Sequence, residues 1–258
     1  MSFGPGSDLF ACAQIVERGD PERFAAAMAA PVSARTVLFP LYAFNVEVSR
    51  APWVTQEPMI ARMRLQWWHD ALEEIASGGF VRRHEVVTPL AQALAGVAVA
   101  PLQQAVDARE ADLEHAPFAD ESALMAYLDQ TAGHLAVAAM AALGTANVRQ
   151  AEVRPHAKAA ALARYLQAVP VLESHGKLPL PDGRAETIAA MAKARLQDLQ
   201  EVPSLRSLRR RYGPAGAALR EFAQGKPLLQ LAAQDPAAVA EGRLRLSEFQ
   251  RRWRLLLG

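Results

Sequence analysis

Helix starts and stops partition this chain almost from end to end, and that pattern constrains its fold more than any other feature. Ser7 can cap a helix running toward Arg18. Asp20 followed by Pro21 is an N-cap with proline at the first helical position, and Pro31 ends that short helix. Ser33 can cap the next helix, which carries Leu38 to Phe44, and Pro40 within it predicts a kink or a division. Thr55 can cap a longer helix over about 57–76, closed by Gly78-Gly79. Met59, Met63, Trp67 and Ala71 recur every four residues there and predict its apolar stripe. Further helices are expected over 86–94, 101–115, 121–143 (capped by Asp120, stopped by Gly144), 151–169 (ended by Pro170), 185–200, 205–212, 215–223 and 244–257.

No segment sustains the period-two alternation of a half-buried strand, and neither a fixed-period repeat nor a Gly/Ser linker interrupts the series. The expectation is one all-α domain over 1–258 with about ten helices, a core over about 8–225 and a separate helix at the C-terminal end. Alanine at many helix positions suits close helix–helix approach. The stretch 136–142, between Gly133 and Gly144, is expected to form a central helix.

Charge and cysteine usage exclude some functions. Lys and Arg number 28 against 27 Asp and Glu, so the net charge of +1 gives no reason to expect nucleic acid. With Cys12 alone, neither an internal disulfide nor a Cys/His zinc site can form. Residues 1–10 carry Asp8 and no basic residue, which reads as neither a secretory signal nor a transit peptide. The longest uncharged stretch, 86–106, contains Pro89, Pro101 and three glutamines, so it predicts two buried helices and not a membrane span. A cytoplasmic location follows as the expectation, with contact at the periphery of an inner membrane as a variant of it.

Two acidic faces are candidates for chemistry. His69, Asp70, Glu73 and Glu74 cluster on one helix, with His69 and Glu73 four apart on one face. Imidazole and carboxylate both ligate divalent ions, but a solvated helix face has the same pattern. Asp107, Glu110 and Glu114 make a second acidic face, with Arg109, Asp112 and His115 beside it, and again a wet surface accounts for them. His134 lies on an apolar helix, where a hydrogen-bonded core or cavity role suits it. No P-loop, Gly-x-Ser-x-Gly or Gly-x-Gly-x-x-Gly occurs. Two segments are basic: 205–212, with Arg206, Arg209, Arg210 and Arg211, and the C-terminal stretch from Arg243, with five arginines against Glu248. In the latter Leu246, Phe249, Trp253 and Leu256 share one face. Such a helix can dock on the core or lie on an anionic membrane surface.

Three landmarks carry a family resemblance. Ala34-Arg35 followed by Leu41-Tyr42-Ala43-Phe44 resembles the first signature of the squalene/phytoene synthase family. Tyr127 followed by Thr131-Ala132-Gly133-His134 resembles its Tyr-x-x-x-Val-Ala-Gly helix, and Gly176-Lys177-Leu178-Pro179-Leu180-Pro181 resembles its Gly-Arg-x-Tyr-Leu-Pro ending. They fall in the family's order over roughly residues 8–225. The resemblance implies an all-α isoprenoid synthase fold with a central cavity, and a head-to-head condensation of prenyl diphosphates at magnesium ions held by two aspartate-rich motifs. At those motif positions this chain reads Ser49, Arg50 and Trp53, then Ala168 and Leu172. The run Tyr-Ala-Phe-Asn-Val-Glu, then Arg64-Leu65-Gln66-Trp67-Trp68 and Leu166-Gln167-Ala168-Val169-Pro170, is similar to a non-catalytic branch of the family that includes a mitochondrial complex I assembly factor.

The resemblance therefore implies a pseudoenzyme acting in assembly of a membrane respiratory complex, with a complex subunit or another assembly protein as partner and no cofactor. Arg35, Tyr42, Asn45, Arg64, Gln66, His134 and Gln167 are its substrate-binding or cavity candidates. Two alternatives stay open. One is an active magnesium-dependent prenyl transferase using Asp70, Asp107 and Glu110; the other is a carrier that keeps a cavity for a prenyl chain or lipid.

Overall fold

A 25-residue helix, α9 (Gln150–Ser174), is the axis on which the rest is assembled. At 1.5 Å per residue it is about 37 Å long. The computed structural model describes residue 4 and residues 6–55, 57–145 and 147–257, the side chains of 252, 256 and 257 excepted. Among them lie fourteen α-helices, short 3-10 segments and no strand. The helices before α9 are α1 (Asp8–Gly19), α2 (Pro21–Met28), α3 (Val32–Arg50), α4 (Pro58–Ser77), α5 (Val87–Ala93), α6 (Ala100–Ala108), α7 (Glu121–Leu128) and α8 (His134–Ala142). After it come α10 (Ala185–Asp198), α11 (Leu205–Tyr212), α12 (Gly225–Gln234), α13 (Ala237–Ala240) and α14 (Glu248–Leu257).

The apolar interior forms two clusters, and α9 feeds both. Val153, Ala157 and Ala160 join a core built from α1, α3, α4, α5, α6 and α8. Ala159, Leu162, Leu166 and Val169 join one built with α7, α10 and α12. Small side chains let α9 be approached from every side: a Cβ on Gly225 would lie 2.7 Å from Ala160 Cα, so α12 meets α9 backbone to backbone. The 136–142 helix is buried as expected, through Leu135, Ala136, Ala138, Ala139 and Met140 of α8.

Several boundaries differ from the sequence expectations, each for a local reason. Ser7 and Asp20 cap α1 and α2 as expected, accepting from Phe10 N and Arg23 N. Ser33 does not cap α3, which begins one residue earlier behind Pro31. Pro40 does not divide α3, and Pro170 does not end α9. Pro170 lacks the N–H that would bond to Leu166 O, yet α9 continues through it for four further residues. The end comes at Gly176, whose φ of +77° allows the Lys177 N–H to reach Leu172 O and the Gly176 N–H to reach Glu173 O. The apolar stripe of α4 is also displaced. Met59 and Met63 are 66% and 65% exposed, while Ala61, Leu65, Trp68, Ala71 and Leu72 are buried. A strict four-residue step drifts around a 3.6-residue helix, whereas 61, 65, 68 and 72 stay on one face. The C-terminal helix starts at Glu248, not at 244, because Ser247 and Gln250 form a reciprocal cap: Gln250 N donates to Ser247 Oγ and Ser247 N to Gln250 Oε1.

Candidate functional site

Two of the three family landmarks, through Tyr127 and Lys177, meet at Asp112 in the 3-10 turn Arg109–Leu113 after α6, whereas the first, on α3, turns Arg35 to Met28 O and Tyr42 to Arg23. Trp53 follows α3 in a 3-10 turn over Ala51–Trp53. Its ring meets the His175 ring at 5.8 Å, and Lys177 Nζ stands 5.8 Å from its centroid. A cleft of about 760 Å³ opens here, lined by Trp53, Val54, Pro58, Asp112, His115 and His175 among others.

Among the described residues Asp112 is the one carboxylate on that lining, and it is already engaged. The Tyr127 hydroxyl is 2.9 Å from both its oxygens, Arg109 Nη1 is 3.3 Å from Oδ2, and Lys177 Nζ is 3.6 Å from Oδ1. Arg109 also donates to the Tyr127 hydroxyl at 2.7 Å, and Lys177 to Ala111 O at 2.9 Å. Burial pushes the Tyr127 phenol well above its ordinary range and lowers the Lys177 ammonium. One anion thus faces two cations, and the wall of the cleft is neutral to positive.

Tyr127 begins a second local feature. Between α7 and α8 the helix widens into a π turn over Asp129–Gly133, where Thr131 Oγ1 donates to Tyr127 O at 2.8 Å. Arg154 crosses from α9 to Asp129 at 2.9 Å. The Tyr127-to-His134 landmark is therefore an interrupted helix, a device frequent at functional sites, and helix periodicity gives no signal for it.

The seven candidate residues from the sequence do not line one cavity. Tyr42 is fully buried in a charge network in which Arg23 donates to Glu221 at 2.5 Å and to Asp20 at 2.7 Å, while Arg164 reaches Glu221 at 3.4 Å. Its hydroxyl has no partner among the described residues, and neither has Glu221 Oε1. Arg35 Nη2 donates to Met28 O at 2.7 Å and ties α3 to the end of α2. Asn45 is half-buried on α3. Gln167 Nε2 donates to Leu244 O at 2.9 Å, fastening the C-terminal stretch to α9. His134 is half-buried, its Nδ1 lacks a partner among the described residues, and burial lowers its pKa.

Arg64 and Gln66 line two different clefts on either side of α4. Gln66 faces α6, where Nε2 donates to Asp70 at 2.6 Å and a cleft of about 290 Å³ holds His69, Asp107 and Glu110. His69 Nε2 is 3.8 Å from Asp107 Oδ1. Ligand atoms of His69, Asp70 and Glu73 lie within 4.8 Å of one another. These groups are on the outer surface, apart from the Trp53 cleft.

Arg64 belongs to a feature that sequence reasoning missed. Val54, Ile60, Met63 and Trp67 line a cleft of about 600 Å³ whose charged groups include Glu47, Arg50 and Arg64. Together with Trp53 and Met59 they leave an apolar surface in solvent: Val54 is 52% exposed and Met63 65%. The displaced α4 stripe is the source of this surface.

Comparison with known proteins places these features in context. The family profile described as squalene/phytoene synthase matches residues 16–252. The assembly factor 6 homolog of NADH dehydrogenase (ubiquinone) complex I from Drosophila melanogaster is 30% identical over 168 residues, covering 62% of this chain and 50% of that protein. The complex I assembly factor 6 of Homo sapiens is 26% identical over 189 residues, covering 68% and 53%. The chain thus spans about half the length of the curated relatives it matches. Among solved structures, squalene synthase HpnC from Alicyclobacillus acidocaldarius superposes with a TM-score of 0.71 at 14% identity, covering 89% of this chain and 94% of that one. A dehydrosqualene synthase in complex with ligand superposes at 0.72 and 13%, covering 96% and 94%. At such identities these two show the shared fold.

Proposed function

This chain belongs to the squalene/phytoene synthase family, and we propose that it is a non-catalytic member, a scaffold in the assembly of a membrane-bound respiratory complex. The observation that carries this reading is the exposed apolar surface of Trp53, Val54, Met59, Ile60 and Met63, next to a cleft whose carboxylate is already paired. Exposed methionine-rich surface suits a partner that must be gripped without a rigid template. The names of the curated relatives, complex I assembly factors, supply the class of partner.

Absence of catalysis follows from the donors at the Trp53 cleft. A departing diphosphate needs cations held by several carboxylates. Asp112 is taken up by Tyr127, Arg109 and Lys177. Ser49, Arg50 and Trp53, then Ala168 and Leu172, stand where the family resemblance places acidic residues. This donor set does not fit magnesium. The alternative set, Asp70, Asp107 and Glu110, sits beside an imidazole on the outer surface, with Asp70 held by Gln66. No cofactor is part of the proposal.

Among the described residues no helix is long and apolar enough to cross a membrane. Membrane contact belongs to this reading through α14, acting at the cytoplasmic side of an inner membrane. In α14 Phe249 and Trp253 are exposed beside Arg251 and Arg254. Of the other two members of the apolar face expected from the sequence, Leu246 precedes α14 and is buried in the second core, and Leu256 has a side chain outside the described residues.

The test is a deletion strain in which NADH–quinone oxidoreductase activity and the assembled complex on native gels are measured. Loss on deletion, rescue by the wild-type chain and failure of rescue by Ile60→Glu with Met63→Glu are expected. Full assembly without the protein, together with magnesium-dependent turnover of farnesyl diphosphate, would refute the scaffold and restore the enzyme.

A further inference from the structure

The last helix bridges a cleft that it does not fill. No described residue of α14 is buried; it is tied to the body by Arg220 Nη1, which donates to Leu255 O at 2.8 Å. Beneath it lies a cleft of about 480 Å³, within the roughly 300–1,000 Å³ usual for small-molecule sites. Its floor is apolar, with Ala159 of α9, Leu199, Val202 and Phe222.

Among the described residues the charged groups on this lining are all basic: Arg206 on α11, Lys226 on α12 and Arg254 on α14, each exposed and with no carboxylate beside them on the lining. These three cations form no ion pair among the described residues, although ion pairs are common elsewhere on this surface. His156 faces the cleft too, but its Nε2 is spent on Pro203 O at 2.9 Å, and burial lowers its pKa. At the outer edge Phe249 and Trp253 stack at 5.9 Å and are 72% and 52% exposed.

We propose that the cleft beneath α14 binds one phospholipid of an anionic membrane leaflet, its phosphate between Arg206, Lys226 and Arg254 and an acyl chain along the apolar floor. The occupant follows from the arrangement. Three exposed cations around one cleft with no carboxylate paired to them favour an anion, and the apolar floor between them favours a chain. A solvent-exposed aromatic pair on a basic helix is the chemistry that settles at the headgroup layer. The site rests on the membrane contact proposed above, yet it assigns the phosphate mainly to body residues outside α14.

The experiment is co-sedimentation of the full chain with phosphatidylglycerol vesicles and with phosphatidylcholine vesicles. Protein is then re-isolated from the vesicles and its retained lipid counted by mass spectrometry. Preferential binding to phosphatidylglycerol with one lipid retained per chain is expected. Arg206→Glu with Lys226→Glu should abolish retention and weaken sedimentation by at least about fivefold per cation, with an unchanged circular dichroism spectrum. Phe249→Ala with Trp253→Ala should weaken sedimentation as well. Sedimentation without retained lipid would overturn the cleft site and leave the membrane contact standing; no sedimentation would overturn both. Retention that survives the charge reversals would overturn the assignment, and complete displacement by excess inorganic phosphate would reduce the site to an anion site without a chain.

Discussion

A methyl group added at Gly225 would meet Ala160 Cα at 2.7 Å and Ala160 N at 2.9 Å, both backbone atoms of a helix that cannot give way locally. Gly225→Ala must therefore push α12 off α9, and overpacking of that kind costs about 1–3 kcal/mol. Gly183→Ala is the control, since nothing lies within 4 Å of its Cβ position, and a change within about 0.5 kcal/mol is expected. Urea denaturation of the two variants checks both. Glu221 presents the opposite case, a side chain whose removal leaves too little. It is fully buried and receives Arg23 at 2.5 Å and Arg164 at 3.4 Å. Glu221→Ala leaves Arg164 without an ion pair in the interior and Arg23 with Asp20 alone, which costs about 3–5 kcal/mol. The same denaturation curves should show this as the largest loss of the three; a loss under about 1 kcal/mol would mean that water already satisfies the arginines.

A buried imidazole on α9 hydrogen-bonds to the segment 199–204, whose Leu199 packs in the second core. His156 Nε2 meets Pro203 O at 2.9 Å, and burial lowers the pKa, so the folded protein prefers the neutral ring. A histidine depressed on folding gives stability that is present above its unfolded pKa, about 6.5, and lost as pH falls through the lower folded value. Melting temperature should therefore fall between pH 7 and pH 5, and His156→Gln, which keeps an N–H for Pro203, should flatten part of that slope. His134, also depressed by burial, supplies part of what remains. Elements of this kind explain what the sequence made legible. Caps at Ser7, Asp20 and Asp120 and the stop at Gly78 are local chemistry, and each appears where the pattern places it. The α12 helix was not legible, because Gly225 and Pro227 read as breakers until Ala160 is seen beside the glycine. Nor was the exposed α4 surface, since periodicity shows that a helix has an apolar side but not which of two adjacent rows meets the core. The Trp53 cleft was legible only in outline: the second and third landmarks marked its position, while Asp112 and its partners come from the 3-10 turn after α6 meeting Tyr127 of α7 and Lys177 beyond α9.

Two apolar clusters sharing one helix raise the question of whether the molecule unfolds as one body. Val153, Ala157 and Ala160 point α9 into the first core, and Ala159, Leu162, Leu166 and Val169 point it into the second. Neither cluster can lose α9 without opening the other. In a Trp253→Phe background the tryptophans make this measurable, because Trp67 and Trp68 pack in or against the first core, whereas Trp253 lines a cleft with Ala159, Leu199 and Val202 of the second. Leu166 is fully buried in the second core, and Leu166→Ala should cost about 2–5 kcal/mol through lost burial and a residual cavity. If α9 couples the halves, that remote truncation shifts the tryptophan fluorescence transition in urea as far as it shifts the helical circular dichroism, and the two curves stay superimposed. If the halves open independently, the fluorescence midpoint stays at its wild-type value while part of the dichroism is lost earlier. The first outcome is expected, since the element that would have to break is a continuous helix running through both cores.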